Sequence, residues 1–131
     1  RPLNKVASGG ELSRISLALQ VTTASLGTVP CMIFDEVDVG IGGGVAEVVG
    51  QLLQQLGQHR QVLVITHLAQ VASQAIHHLQ VSKSEHQGTT LSRIRPLSID
   101  ERVEEVARMM GGLQITEATR IHAREMLGLS A

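Results

Sequence analysis

Two short apolar runs constrain the fold of this 131-residue chain more than any other feature. The first, Cys31–Phe34, ends in two carboxylates, and the second, residues 62–65, ends in Thr66 and His67. Because neither run alternates apolar and polar residues, each predicts a buried parallel strand that is covered on both faces.

Helical patterns lie before and between these strands. A capping box formed by Ser8 and Glu11 predicts a helix over residues 9–24. After a glycine-rich turn, a second helix ends near Gly57, and its apolar stripe has helical spacing: Val45, Val48, Val49, Leu52, Leu53 and Leu56. A shorter helix is expected at about residues 68–75, after the second strand.

The spacing of apolar residues changes from a helical to a strand-like pattern from His77 onwards. Residues 77–83 and Thr89–Pro96 predict a β-hairpin with a turn around residues 85–88. Ser98 opens a helix that ends at Gly111, and Thr116 caps a last helix that runs to about residue 127. The order α-β-α-β-α-β-β-α-α predicts an α/β fold: parallel strands with flanking helices, a β-hairpin and two C-terminal helices.

Composition excludes several classes of protein. Eleven Lys and Arg residues balance twelve Asp and Glu residues, so no strong charge favours binding to nucleic acid or membranes. Phe34 is the only aromatic residue, which excludes recognition of bases by aromatic stacking. The single cysteine, Cys31, excludes an internal disulfide. No apolar run is long enough for a membrane span and no N-terminal apolar signal is present, so we expect a cytoplasmic protein without a membrane partner.

Three features suggest chemistry. Ser8, Gly9 and Gly10 open a helix, and free N–H groups beside glycines favour an anion. Asp35 and Glu36 follow a buried strand, where two carboxylates suit Mg²⁺ and a neighbouring general base.

The third feature is His67, which follows the second strand, where an imidazole is able to contact a phosphate or orient a water molecule. Each feature also has a purely structural interpretation, as a helix cap, a solvated turn and a structural histidine.

The glycine cluster after the first strand allows a further interpretation. Residues 40–44 resemble a dinucleotide-binding turn that would take NAD, but the third glycine of that fingerprint falls on Val45. No acidic residue ends the next strand either, so the Rossmann-type interpretation is kept only as an alternative.

Taken together, four motifs in this order resemble ABC-type ATPases, in the variant shared by the structural-maintenance-of-chromosomes (SMC) proteins. Residues 8–12 (SGGEL) are similar to the signature motif, 31–36 to Walker B, 37–43 to the D-loop, and 65–67 to the switch-histidine loop. The resemblance covers residues 3–127 and includes a bacterial DNA-repair branch of the family.

The resemblance implies a role for each site residue. Two heads dimerise with ATP between them, so Ser8, Gly9 and Gly10 would contact the γ-phosphate of ATP held by the second head. Asp35 would hold Mg²⁺, the catalytic Glu36 would activate water, and the catalytic His67 would contact the γ-phosphate. The D-loop residues that would line the dimer interface are Asp38, Val39, Gly40 and Gly42, although the usual D-loop aspartate aligns with Gly42.

No GxxxxGK[ST] sequence occurs in the chain. In this family that Walker A loop lies in an N-terminal lobe, beyond a coiled coil. Residues 1–131 are therefore expected to form the C-terminal lobe of a P-loop NTPase-like head, inactive alone. Its implied partners are the N-terminal Walker A lobe, a second head in a homodimer, and DNA bound by the intact, nucleoid-associated protein in recombinational double-strand break repair. The alternative is a non-catalytic lobe that only docks on a partner chain.

Overall fold

The structure, a computed structural model, describes residues 18, 22, 23, 27, 29–35 and 40–129. The chain divides into two compact units, Arg1–Gln74 and Ala75–Ala131.

The first unit contains a parallel β-α-β arrangement. Strand β1 (Cys31–Phe34) pairs with β2 (Gln61–Val64), and Cys31 lies opposite Gln61. Helix α1 (Gly43–Gly57) connects the strands. Both predicted strands, their parallel direction and the helix between them are confirmed.

The core of this unit lies between α1 and one face of the strands. Phe34 of β1 is 4% exposed and belongs to a cluster with five further buried residues: Ala46, Val49, Leu53, Leu56 and Val71. Met32, Val62 and Val64 pack against this cluster. Burial of these side chains against α1 fixes the face that each strand residue presents.

The opposite face of the two strands is open. Ile33 is 68% exposed, and Leu63 and the following Ile65 are 42% and 57% exposed. The prediction that both faces are covered is therefore wrong within the described residues. The physical reason is that α1 covers only the face of Phe34, because successive strand side chains point to opposite sides. The predicted stripe on α1 is also only partly buried, since Val45 and Val48 are exposed.

The strands are fixed at their amino ends. Gln61 donates its backbone N–H to the carbonyl of Pro30 at 2.9 Å. The Arg60 guanidinium donates to the carbonyls of Val29 and Gly27, both at 3.3 Å. These bonds tie the start of β2 to the segment that leads into β1.

Helix α2 (Ala69–Ala72) is shorter than the predicted helix over residues 68–75. The Ser73 hydroxyl donates to the carbonyl of Gln70 at 3.5 Å, and side-chain bonds of this kind compete with helix continuation. Helix α2 packs against α1 at Gly50. A Cβ atom added at Gly50 would lie 2.9 Å from the carbonyl oxygen of Gln70.

The second unit begins with the predicted hairpin. Strand β3 (Leu79–His86) pairs with the antiparallel β4 (Thr89–Pro96) across the two-residue turn Gln87–Gly88. Both turn residues have positive φ, 51° and 77°, as a tight primed turn requires. The hairpin is confirmed, but β3 begins two residues after the predicted start. It also continues through His86, beyond the predicted end, because a turn of only two residues connects the strands.

Two helices complete the second unit. The Ser98–Glu101 capping box opens α3 (Ile99–Met109), and Thr116 caps α4 (Glu117–Met126). Both caps and the α/β class are confirmed. The predicted helix over residues 9–24 lies mostly outside the described residues, of which Ala18, Thr22 and Thr23 are helical.

Candidate functional site

Asp35 and the loop that carries His67 lie at the same edge of the β1–β2 pair. Asp35 directly follows β1, and His67 comes three residues after Val64, the last residue of β2. The N–H of Ile65 donates to the carbonyl of Phe34 at 2.9 Å, so the ladder extends to the residue beside Asp35. Since the strands are parallel, both residues follow carboxyl ends, where open α/β sheets bind ligands.

The loop after β2 is held by a side chain that the sequence analysis did not single out. The hydroxyl of Thr66 accepts the backbone N–H of Leu68 at 3.0 Å, and this bond spans His67. The sequence contains a signal for such a turn, because Thr66 lies two residues before the predicted helix start and threonine hydroxyls often bind a backbone N–H two residues later. The His67 side chain is exposed.

Asp35 has an exposed side chain and forms no hydrogen bond or ion pair with the described residues. Mg²⁺ in nucleotide sites keeps several waters and takes one or two protein carboxylates together with phosphate oxygens. The accessible carboxylate of Asp35 at the sheet edge fits that mode of binding. In the described part of the chain, no three His, Cys, Asp or Glu side chains group to hold a metal ion.

The other predicted site residues divide into two groups. Gly40 and Gly42 are described: Gly40 has φ 73°, the left-handed region that glycine adopts without strain, and Gly42 is the N-cap of α1. Six predicted residues lie outside the described residues: Ser8, Gly9, Gly10, Glu36, Asp38 and Val39. Their assignments remain predictions.

The second unit contains a polar cluster that sequence reasoning missed. Glu105 is only 7% exposed, and its carboxylate accepts hydrogen bonds from Arg108 at 2.5 and 2.9 Å and from Gln80 at 2.7 Å. Hydrogen bonding to Arg108 lowers the pKa of Glu105. Partial burial lowers the pKa of His78, and Arg102 lowers it further, while Glu105 opposes the shift. This cluster links the hairpin to α3.

We expect the cluster to make folding stability depend on pH. The folded-state pKa of His78 lies below its ordinary value of 6.5, so the unfolded chain takes up the proton first as the pH falls. Stability is therefore greatest above about pH 6.5 and decreases as the pH falls from there towards the folded-state pKa.

Guanidinium denaturation at pH 7.5 and 5.5 measures this effect. His78→Gln should reduce the loss of stability between the two pH values, while His122→Gln, at an exposed position of α4, should leave it unchanged. An identical pH dependence in wild type and His78→Gln would contradict the prediction.

No protein-family model matches the chain. It is 53% identical over 127 residues to the DNA repair protein RecN of Xylella fastidiosa (strain 9a5c), an alignment that covers 97% of this chain and 23% of that protein. RecN of Vibrio cholerae is also 53% identical over 127 residues, and RecN of Bacillus subtilis is 45% identical, with 97% of this chain covered in both cases. The chain thus spans about a quarter of the length of the curated relatives it matches.

Two solved structures have a similar fold. One comes from a study of ATP-driven dimerization and DNA-stimulated activation of SMC ATPases; its TM-score is 0.66 at 21% identity, with 84% of this chain and 66% of that chain covered. The other is the Smc head domain of Pyrococcus yayanosii, with a TM-score of 0.67, 24% identity, and 81% and 20% coverage. The chain therefore has the α/β fold of SMC ATPase heads.

No helix among the described residues is both long and apolar enough to span a membrane.

Proposed function

We propose that this RecN-like chain is the C-terminal lobe of an ATP-hydrolysing head, in a protein that repairs DNA double-strand breaks by recombination. One observation carries the proposal: Asp35 and the His67 loop follow the carboxyl ends of two adjacent parallel strands. Phosphoryl transfer depends mainly on positioning and on stabilisation of charge, and residues that follow neighbouring strand ends would be able to act on one ligand.

In the proposed reaction, Asp35, Glu36 and His67 each have a separate task. Asp35 would hold Mg²⁺ through water, and Glu36 would accept a proton from the attacking water. His67 would donate a hydrogen bond to the γ-phosphate of ATP and lose that contact after hydrolysis. When bound, Mg²⁺ would neutralise charge on the phosphate oxygens.

The remaining predicted residues would act between two heads. Ser8, Gly9 and Gly10 would bind the γ-phosphate of ATP held by the second head, through a hydroxyl and backbone N–H groups. The interface residues would be Asp38, Val39, Gly40 and Gly42. The left-handed conformation of Gly40 supports a tight turn at this point of the chain.

The proposed partners follow from the length of the relatives. The alignment covers only 23% of the Xylella fastidiosa RecN. By analogy with that longer relative, the Walker A lobe would belong to another part of the same polypeptide. A second copy of the head would complete the ATP site, and the intact protein would bind DNA in the cytoplasm at the nucleoid. The RecN relatives, which are DNA repair proteins, support this proposal.

Reconstitution tests the proposed function. The 131-residue chain alone should release no phosphate from ATP, whereas the chain mixed with the Walker A segment of the same protein should release it in the presence of Mg²⁺. Asp35→Asn in the mixture should abolish most of this activity, while the matched change Asp100→Asn, at an exposed position of α3, should not. Turnover by the chain alone would contradict the assignment.

The same experiment tests a second function, that of a non-catalytic lobe that only docks on a partner. The exposed apolar face of Ile33, Leu63 and Ile65 favours this alternative, because such a face suits contact with another protein surface. A stable complex with the Walker A segment that releases no phosphate would support docking without catalysis.

A further inference from the structure

Thr66 lies between β2 and His67 and forms a hydrogen bond across the histidine. Its hydroxyl oxygen accepts the Leu68 N–H at 3.0 Å. Leu68 is the N-cap residue of α2, and its own side chain makes no capping hydrogen bond. The Thr66 hydroxyl therefore satisfies a backbone donor at the entrance to α2, where unpaired N–H groups are normally bound by a side chain or water.

The residues on both sides of the Thr66–His67 pair are fixed by the fold. Before it, the Ile65 N–H donates to the carbonyl of Phe34 at 2.9 Å. After it, Leu68 packs against the core cluster, and its carbonyl accepts the N–H groups of Val71 and Ala72 at 3.2 and 3.0 Å. Thr66 and His67 are the two residues between these fixed positions, Ile65 and Leu68. The hydrogen bond from the Leu68 N–H to Thr66 spans His67.

We propose that Thr66 is a positioning residue for His67: its hydroxyl limits the conformations of the loop, so that the imidazole projects from the sheet edge at a constant place relative to Asp35. This inference rests on the proposed function, in which His67 contacts the γ-phosphate. Without the hydroxyl, the Leu68 N–H would donate to water instead, and the loop between Ile65 and Leu68 would gain conformational freedom.

Four variants of the intact protein test the inference. Thr66→Val keeps the shape of the side chain and removes the acceptor, so kcat for ATP hydrolysis should fall about tenfold while KM changes less than about twofold. Thr66→Ser keeps an acceptor hydroxyl and should restore most of the rate. His67→Ala should lower kcat at least as far as Thr66→Val. In the double variant, Thr66→Val should add no further loss to that of His67→Ala, because it acts through the histidine.

The outcomes separate this inference from the function on which it rests. If His67→Ala hydrolyses ATP like wild type, the proposed role of His67 is wrong and the positioning role is wrong with it. If His67→Ala is impaired while Thr66→Val hydrolyses ATP normally, only the positioning role is wrong.

An equal loss from Thr66→Val in wild-type and His67→Ala backgrounds would also overturn the inference, since Thr66 would then act independently of His67. Thermal melting of each variant provides the folding control. If Thr66→Val does not fold, Thr66→Ala removes the same acceptor in a smaller side chain, and the same comparison in the His67→Ala background applies to it.

Discussion

Replacing Glu36 with glutamine in the intact protein should lower ATP turnover by roughly 10²- to 10⁴-fold, the usual contribution of a general base. The amide has nearly the size of the carboxylate but does not accept a proton from water. ATP binding should persist, because the proposed phosphate and metal contacts belong to other residues. Steady-state phosphate release and equilibrium binding of ATP measure the two effects separately.

A matched control is available one helix further along the chain. Glu47→Gln makes the same chemical change at an exposed position of α1 and should leave both turnover and binding at the wild-type level. If Glu36→Gln hydrolysed ATP at nearly the wild-type rate, Glu36 would not be the base. A joint loss of binding and turnover would instead give Glu36 a role in holding the nucleotide.

The second large effect is expected at Gly50, where α1 and α2 approach closely. In Gly50→Ala, the new methyl carbon would lie 2.8 Å from Cγ of Gln74, 2.9 Å from the carbonyl oxygen of Gln70 and 3.3 Å from Cα of Val71. The Gln74 side chain is able to rotate away, but the two backbone atoms move only if α2 shifts. We expect the free energy of unfolding to fall by about 1–3 kcal/mol, as for other overpacked cores.

Gly44→Ala is the control for this substitution. It also lies in α1, but a Cβ atom there would have no neighbour within 4 Å. Alanine should therefore be neutral or stabilise the protein by about 0.5–1 kcal/mol through its lower backbone entropy in the unfolded state. Guanidinium denaturation compares the midpoints of both variants with wild type. Equal stability of Gly50→Ala and wild type would show that α2 moves away at little cost.

Local sequence signals predicted the elements whose causes are themselves local. Ser98 and Glu101 form the expected reciprocal cap, and Gly88 supplies the expected turn between β3 and β4. The spacing of Val49, Leu53 and Leu56 identified the face of α1 that becomes buried. Each of these inferences depends on residues fewer than ten positions apart. Over such short distances, the local backbone geometry determines which residues are in contact.

The failures concern contacts that local patterns do not define. The apolar sequence around Ile33 predicts a core residue, but Ile33 is exposed. Its exposure depends on whether another element covers that side of the sheet. The buried Glu105 resembles any charged residue of an amphipathic helix, and its hydrogen bond from Gln80, 25 positions earlier in the chain, is not visible in the local pattern. At the candidate site, the sequence predicted that Asp35 and His67 each follow the end of a strand. The hydrogen bond from the Leu68 N–H to Thr66 was not predicted, because it depends on the path of the loop.

The pairing registers also bear on how the two units acquire their structure. Cys31 meets Gln61 only after the intervening chain, including α1, has brought them together, so the first parallel bond closes a long loop. His86 meets Thr89 across two residues, and α3 and α4 are likewise neighbours in sequence. Contacts between neighbours form faster than contacts between distant segments. The hairpin unit should therefore reach its native pairing earlier in refolding than the β1–β2 edge that carries Asp35.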